Sequence, residues 1–131
     1  WTNQDLEIDL NLEAQKLYET CKDNKDFTIF AKSAGIMVAL KAIKDLKIEP
    51  KKCIFVGFPI KVLEEWGIDF FPFLKELNVN SIFFQNSDDP TGSFHEIENI
   101  FKELNLANIE IIEEKGDSHD YVNYETYEIR I

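Results

Sequence analysis

The chain has 131 residues, which suits one domain whose single core needs neither a metal nor a disulfide, and is too short for two ordinary domains. Fourteen Lys and Arg face 25 Asp and Glu, and the net charge of −11 opposes a phosphate-neutralising surface, which argues against nucleic acid or an anionic membrane as partner. A hydrophobic content of 44%, with 11 Phe, 4 Tyr and 2 Trp, excludes a disordered acidic chain.

The first residues, Trp1-Thr2-Asn3-Gln4-Asp5, lack the basic and apolar regions of a signal peptide, and no apolar run approaches the ~20 residues of a bilayer span. A soluble, cytoplasmic protein is expected. Trp in place of Met at position 1 is what one piece of a longer polypeptide would show. Leu6, Ile8, Leu10 and Leu12 alternate with polar residues and fit an edge strand, while Leu12 to Lys22 reads as a helix. Four short runs rich in β-branched and aromatic residues then read as buried strands: Phe27 to Ala31, Cys53 to Gly57, Ser81 to Gln85 and Ile109 to Glu113. Between the first two, Met37, Leu40, Ile43 and Leu46 mark the apolar face of a helix over Ala34 to Leu46. A shorter helix is expected over Phe71 to Leu77, with Pro72 in its first turn, and another over Phe94 to Leu104. The C-terminal Tyr121 to Ile131 alternates again and fits a second edge strand. Cys21 and Cys53 have no metal-ligand spacing and are expected to be free thiols.

The strand centres lie 26 to 28 residues apart, with a helix in each interval. Parallel neighbours need such long connections, so the fold class is α/β: a parallel sheet of about four core strands with flanking helices, in three layers, forming one domain over residues 1 to 131. In a parallel sheet the loops after the strand C-termini share one rim, and ligands bind there. Those loops are Lys32-Ser33-Ala34-Gly35, Phe58-Pro59, Asn86-Ser87-Asp88-Asp89-Pro90 and Lys115-Gly116-Asp117-Ser118-His119-Asp120. Singly, each is ordinary: Ser33 as a helix cap, Asp88-Asp89-Pro90 as a turn, Asp117-Ser118-His119 as a polar loop. Together they bring a hydroxyl, a carboxylate and an imidazole to one rim, which is what a nucleophile, its base and the group that fixes the base's tautomer require.

Ala31-Lys32-Ser33-Ala34-Gly35, running from strand into helix, resembles the Gly-x-Ser-x-Gly nucleophile elbow of the α/β-hydrolases, with Ala31 in place of the first Gly. Phe84-Gln85-Asn86-Ser87-Asp88-Asp89-Pro90-Thr91-Gly92 is similar to the acid loop of small dienelactone-hydrolase-like members, Gly116-Asp117-Ser118-His119-Asp120-Tyr121 to their histidine loop, and Gly57-Phe58-Pro59 to their Gly-aromatic-Pro. The resemblance covers about Phe27 to Tyr121. It implies a serine hydrolase acting on a small-molecule ester or thioester through an acyl-enzyme, with Ser33 as nucleophile, His119 as base and acid, and Asp89, over Asp88, as the orienting carboxylate. It assigns Ala34, whose NH follows the nucleophile, and Phe58 to the oxyanion and substrate-binding side; no cofactor and no metal are expected.

In that family further strands precede the elbow strand, and a loop among them donates the second oxyanion-hole NH; here about 26 residues precede Phe27. The sheet is therefore expected to be truncated, with the edge of strand 27–31 covered by an end of this chain, a second copy in a homo-oligomer, or an upstream segment. The alternative is a weak or inactive hydrolase-like fragment serving as an interaction module. A receiver-like phosphoacceptor would need a carboxylate pair after the first strand, where Lys32-Ser33 stands. A divalent-metal site from Asp88, Asp89, Asp117, His119 and Asp120 is weighed against solvated acidic loops, which are commoner in so acidic a chain. Trp66 to Phe73 reads as core packing ahead of an acyl-pocket wall, His95 as an exposed helix-terminal residue, and Lys32 as solvent-facing.

Overall fold

The computed structural model describes residues 9 to 130. Its elements in chain order are α1 (Leu10–Cys21), β1 (Thr28–Lys32), α2 (Ala34–Asp45), β2 (Lys52–Val56), α3 (Ile60–Glu65), α4 (Phe71–Lys75), β3 (Ser81–Asn86), α5 (Phe94–Leu104), β4 (Ile109–Glu114) and α6 (Tyr124–Ile129). The four strands form one parallel sheet in the order β1-β2-β3-β4. The α/β class and the four strands agree with the sequence pattern, and the strand bounds differ from it by a residue at most.

A strand order that advances in one direction puts its crossover helices on one face, because parallel crossovers share one hand. The larger core accordingly lies on one side, where Ile29, Cys53, Phe55 and Phe83 meet Ile36, Met37 and Leu40 of α2, Leu63 of α3, Leu74 of α4 and Ile97 and Phe101 of α5. Alternation along the strands sends Ile54, Val56, Ile82 and Phe84 to the opposite face, which is closed by Tyr121 and by Tyr127 of α6. The helices sit where local signals allow. The Asp9 carboxylate caps α1, Ser93 and Glu96 form a reciprocal capping box on α5, and Asn105 ends α5 in the left-handed region at φ 53°.

Two expectations are corrected, and one element is new. The C-terminal segment adds no strand over 124–129: those residues form α6, which lies across the smaller face with the Tyr127 ring packed at a tilt against Phe84 and Phe30. The three-residue spacing of Tyr124 and Tyr127, with Glu125 and Glu128 turned outward, served a helix better than the alternating pattern served a strand. At the other end, Leu10 and Leu12 belong to α1, while Leu6 and Ile8 fall outside the described residues. α3 has no counterpart in the sequence reading; it begins directly after Pro59 and buries only Ile60 and Leu63, too short a stripe to read as a period. Trp66 and Phe73 pack against the larger core and Phe70 is buried in it. β1 is at a sheet edge, pairing with β2 alone among the described residues.

Candidate active site

β1 ends where its ladder makes one last bond, Ser33 N–H to the Val56 carbonyl at 2.9 Å. The chain then turns abruptly. Ser33 has φ 54° and ψ −131°, a conformation that costs a non-glycine residue on the order of 1–3 kcal/mol and persists only where the surroundings impose it. Here the end of β1 and the start of α2 impose it. Ser33 heads α2 without capping it through its side chain, so the hydroxyl is left free for another partner. Small residues stand beside it: Gly35 lies over Ala31, where a Cβ on Gly35 would make an ordinary contact at 3.9 Å with the Ala31 Cβ. A larger side chain at 31 would crowd that contact.

The partner of the hydroxyl is His119. Ser33 Oγ lies 2.7 Å from His119 Nε2, and His119 Nδ1 lies 2.7 Å from Asp89 Oδ2. The imidazole is about 29% exposed and the Asp89 side chain fully buried. With Asp89 ionised, the proton belongs on Nδ1, leaving the Nε2 lone pair to receive a proton from Ser33 Oγ. Asp89 Oδ1 accepts from Thr91 N–H and Thr91 Oγ1–H, both at 2.7 Å, and Oδ2 accepts a further bond from the Tyr121 hydroxyl at 2.7 Å. Burial pushes the Asp89 carboxyl up, but the bonds from His119, Tyr121 and Thr91 outweigh it and hold the group below its ordinary value. The anion is thus stabilised in place, and the arrangement can move a proton from a serine hydroxyl to an imidazole whose tautomer is fixed.

Two adjacent amides at the end of β3 aim the loops. Gln85, fully buried, accepts from Phe58 N–H at 2.8 Å and donates to the carbonyls of Phe58 and Gly92, which ties the loop after β2 to the acid loop. Asn86, on the opposite face of the strand, donates through Nδ2 to the carbonyls of Ser118 and Asp120 at 3.0 and 3.2 Å, bracketing His119. Close fit accompanies these bonds: a Cβ on Gly116 would meet the Asn86 side chain at 2.8 Å.

The other candidate residues are placed as follows. Asp88 is exposed and contributes its N–H to the Gly116 carbonyl, while Asp89 is turned inward. Ala34 opens α2, where a first-turn N–H has no intrahelical partner. Phe58 does not fit a substrate contact: its ring is fully buried against Phe70 and Phe83, and its N–H is committed to Gln85. Lys32 is exposed, as expected, and its ammonium donates to the Tyr121 carbonyl and the Tyr124 hydroxyl. His95 is exposed. Among the described residues no group of three or more His, Cys, Asp or Glu converges as a metal site, and no helix is long and apolar enough to cross a membrane. Sequence reasoning missed Gln85, Asn86, Thr91 and Tyr121. The first two were legible as polar residues closing an apolar strand, and Thr91 as the partner two residues beyond an Asp in a turn; Tyr121 carried no such signal.

No family model matches the chain. No curated protein matches its sequence. Among solved structures it is similar to an uncharacterized protein from Bacillus cereus, with a TM-score of 0.67 and 21% identity over 93% of this chain and 42% of that one. It is also similar to a zinc-bound, cold-adapted esterase from an Arctic intertidal metagenomic library, with a TM-score of 0.64 and 17% identity over 88% of this chain and 50% of the esterase. The chain therefore spans half or less of the length of these structures, and what it shares with them is the fold.

Proposed function

We propose that the chain carries the acyl-transfer centre of a serine hydrolase acting on a small ester or thioester, with Ser33 as nucleophile, His119 as general base and acid, and Asp89 as the orienting carboxylate. The observation that carries this reading is the continuous relay from a strained, uncapped serine through His119 to a buried, ionised Asp89, with 2.7 Å at both links. A serine needed only as a helix cap would bond its own helix, and a histidine needed only for packing would not have its tautomer fixed by a buried anion. The fold shared with an esterase is consistent with the reading.

In the proposed reaction, Ser33 Oγ attacks the carbonyl carbon as its proton passes to His119 Nε2. The Asp89 carboxylate stabilises the imidazolium without taking its proton. Collapse of the tetrahedral adduct breaks the bond to the leaving alcohol or thiol, which takes the proton from Nε2 and leaves an acyl group on Ser33. Water, deprotonated by the same nitrogen, then releases the acid. Ala34 N–H is the donor in hand for the oxyanion. Loss of one donor of two typically costs about 10² to 10³ in turnover, so slow hydrolysis is expected wherever Ala34 N–H acts without a second donor.

Labelling with a fluorophosphonate, followed by peptide mapping, tests the assignment. The adduct is expected on Ser33, and Ser33→Ala should abolish it. An adduct on another serine, or equal labelling of Ser33→Ala, would remove the reading in favour of a hydrolase-like module that binds without catalysis.

A further inference from the structure

Tyr121 lies two residues beyond His119 and is 2% exposed. Its hydroxyl accepts from the backbone N–H of Asn86 at 2.8 Å and donates to Asp89 Oδ2 at 2.7 Å, the oxygen that also receives His119 Nδ1. Its ring stands edge-on to the imidazole, with centroids 5.9 Å apart and planes at 88°. The space for that ring is provided by Gly57, which has φ 75°: a Cβ there would lie 2.6 Å from Tyr121 Cε2 and 3.2 Å from His119 Cε1. Burial and the neighbouring Asp89 carboxylate hold the phenol above its ordinary value, so it remains a donor wherever Asp89 is ionised.

The four bonds to Asp89 are not equivalent. Thr91 supplies two, at Oδ1, and its Oγ1 also lies 3.1 Å from His119 Nδ1, but it belongs to the same loop as Asp89, two residues along, and moves with the carboxylate it bonds. His119 supplies the bond whose geometry must be maintained. Tyr121 alone joins Asp89 to both the histidine loop and the backbone of β3, and it does so at the oxygen that faces the imidazole. We propose that Tyr121 is a positioning residue: its hydroxyl fixes Asp89 Oδ2 against His119 Nδ1, and its ring limits the tilt of the imidazole. The inference rests on the Ser33–His119–Asp89 reading above. Without the hydroxyl, the buried carboxylate would lose a donor and the Asn86 N–H its acceptor, and Oδ2 would be free to turn from Nδ1.

Tyr121→Phe keeps the ring that fills the notch over Gly57 and removes only the hydroxyl. Two readouts are followed in the whole chain: the rate of fluorophosphonate labelling at Ser33, and the His119 Nδ1 proton resonance, which reports the bond to Asp89 without requiring activity. Labelling at least about tenfold slower, with the proton resonance displaced or lost to faster exchange and the fold retained by circular dichroism, is the expected result. Labelling and resonance both equal to wild type would overturn the proposal, as would slower labelling with an unmoved resonance, which would point to a general loosening. If the wild-type chain does not label, the hydrolase reading falls and the resonance alone decides whether Tyr121 holds the pair. If Tyr121→Phe does not fold, 3-fluorotyrosine at position 121, a stronger donor of nearly the same shape, should shift the Nδ1 proton upfield, and no shift would overturn the inference.

Discussion

The two ends of β3 are built from different materials. At its start and middle the strand is apolar: Ile82, Phe83 and Phe84 are buried, and Ser81 satisfies its hydroxyl locally on the Val79 carbonyl at 2.8 Å. At its far end Gln85, Asn86 and, three residues on, Asp89 are buried as well, and each reaches across to another loop. Apolar burial stabilises in proportion to area and needs no direction, whereas buried polar groups cost free energy unless each finds its partner at the right distance. Among the described residues no buried side-chain nitrogen or oxygen lacks a partner. The first half of the strand thus holds the sheet together, and the second half spends polar burial on placing three loops at one rim.

That division predicts opposite consequences for substitutions a few residues apart. The largest effect is expected at the carboxylate, where Asp89→Asn should slow labelling of Ser33 by about 10⁴, since an amide at that position favours the wrong imidazole tautomer. Asp88→Asn, on the exposed neighbour, should change it less than about twofold. Rates measured side by side check this, and equal sensitivity would mean that the carboxylate register is wrong.

Phe83→Ala should do the reverse. Phe83 is fully buried, with ring centroids 5.0 Å from Phe55 and 4.8 Å from Phe101. Its truncation is expected to cost about 3–5 kcal/mol in urea unfolding while leaving the labelling rate per folded molecule near wild type. A rate that fell with no loss of stability would contradict the division.

Asn86→Ala should combine both in smaller measure, because it frees the carbonyls of Ser118 and Asp120 that bracket His119. Labelling slower by about tenfold, with a stability loss of roughly 1–2 kcal/mol, is expected from two lost hydrogen bonds.

The smallest effect concerns acid. The Asp89 carboxyl is held below its ordinary 3.8 in the folded state, so the stability it contributes is fully present well above that value and is lost as pH falls through the folded-state titration. Asp89→Asn should therefore flatten the fall of Tm between neutral pH and about pH 3. A curve as steep as that of the wild type would place the acid sensitivity elsewhere.

The same contrast governs what could be read from the sequence. β-branched and aromatic runs announced all four strands, but the expectation that all are buried holds only for the central pair: β2 and β3 are covered on both faces, whereas at the sheet edges β1 leaves Phe30 and Lys32 exposed and β4 has no fully buried residue. The rim residues Ser33, Asp89 and His119 were nameable because parallel strands deliver their following loops to one side. Which amide would hold which loop was not legible, since Gln85 and Asn86 are told apart only by the alternation that sends them to opposite faces. Phe58 misled for a related reason: its place after β2 suited a substrate contact, but Gln85 claims its N–H and the larger core its ring. α6 was hidden because its apolar contacts come from Phe30 and Phe84, far away in the chain.

The central claim is that Ser33 becomes covalently acylated in the course of turnover. Its most direct test is rapid mixing of the chain with an activated nitrophenyl ester, followed by acid quench and peptide mass analysis. The account predicts a burst of nitrophenol equal to the chain concentration, an acyl group on the Ser33 peptide, and neither in Ser33→Ala. Hydrolysis without a burst, with Ser33 unmodified and Ser33→Ala equally active, would contradict it.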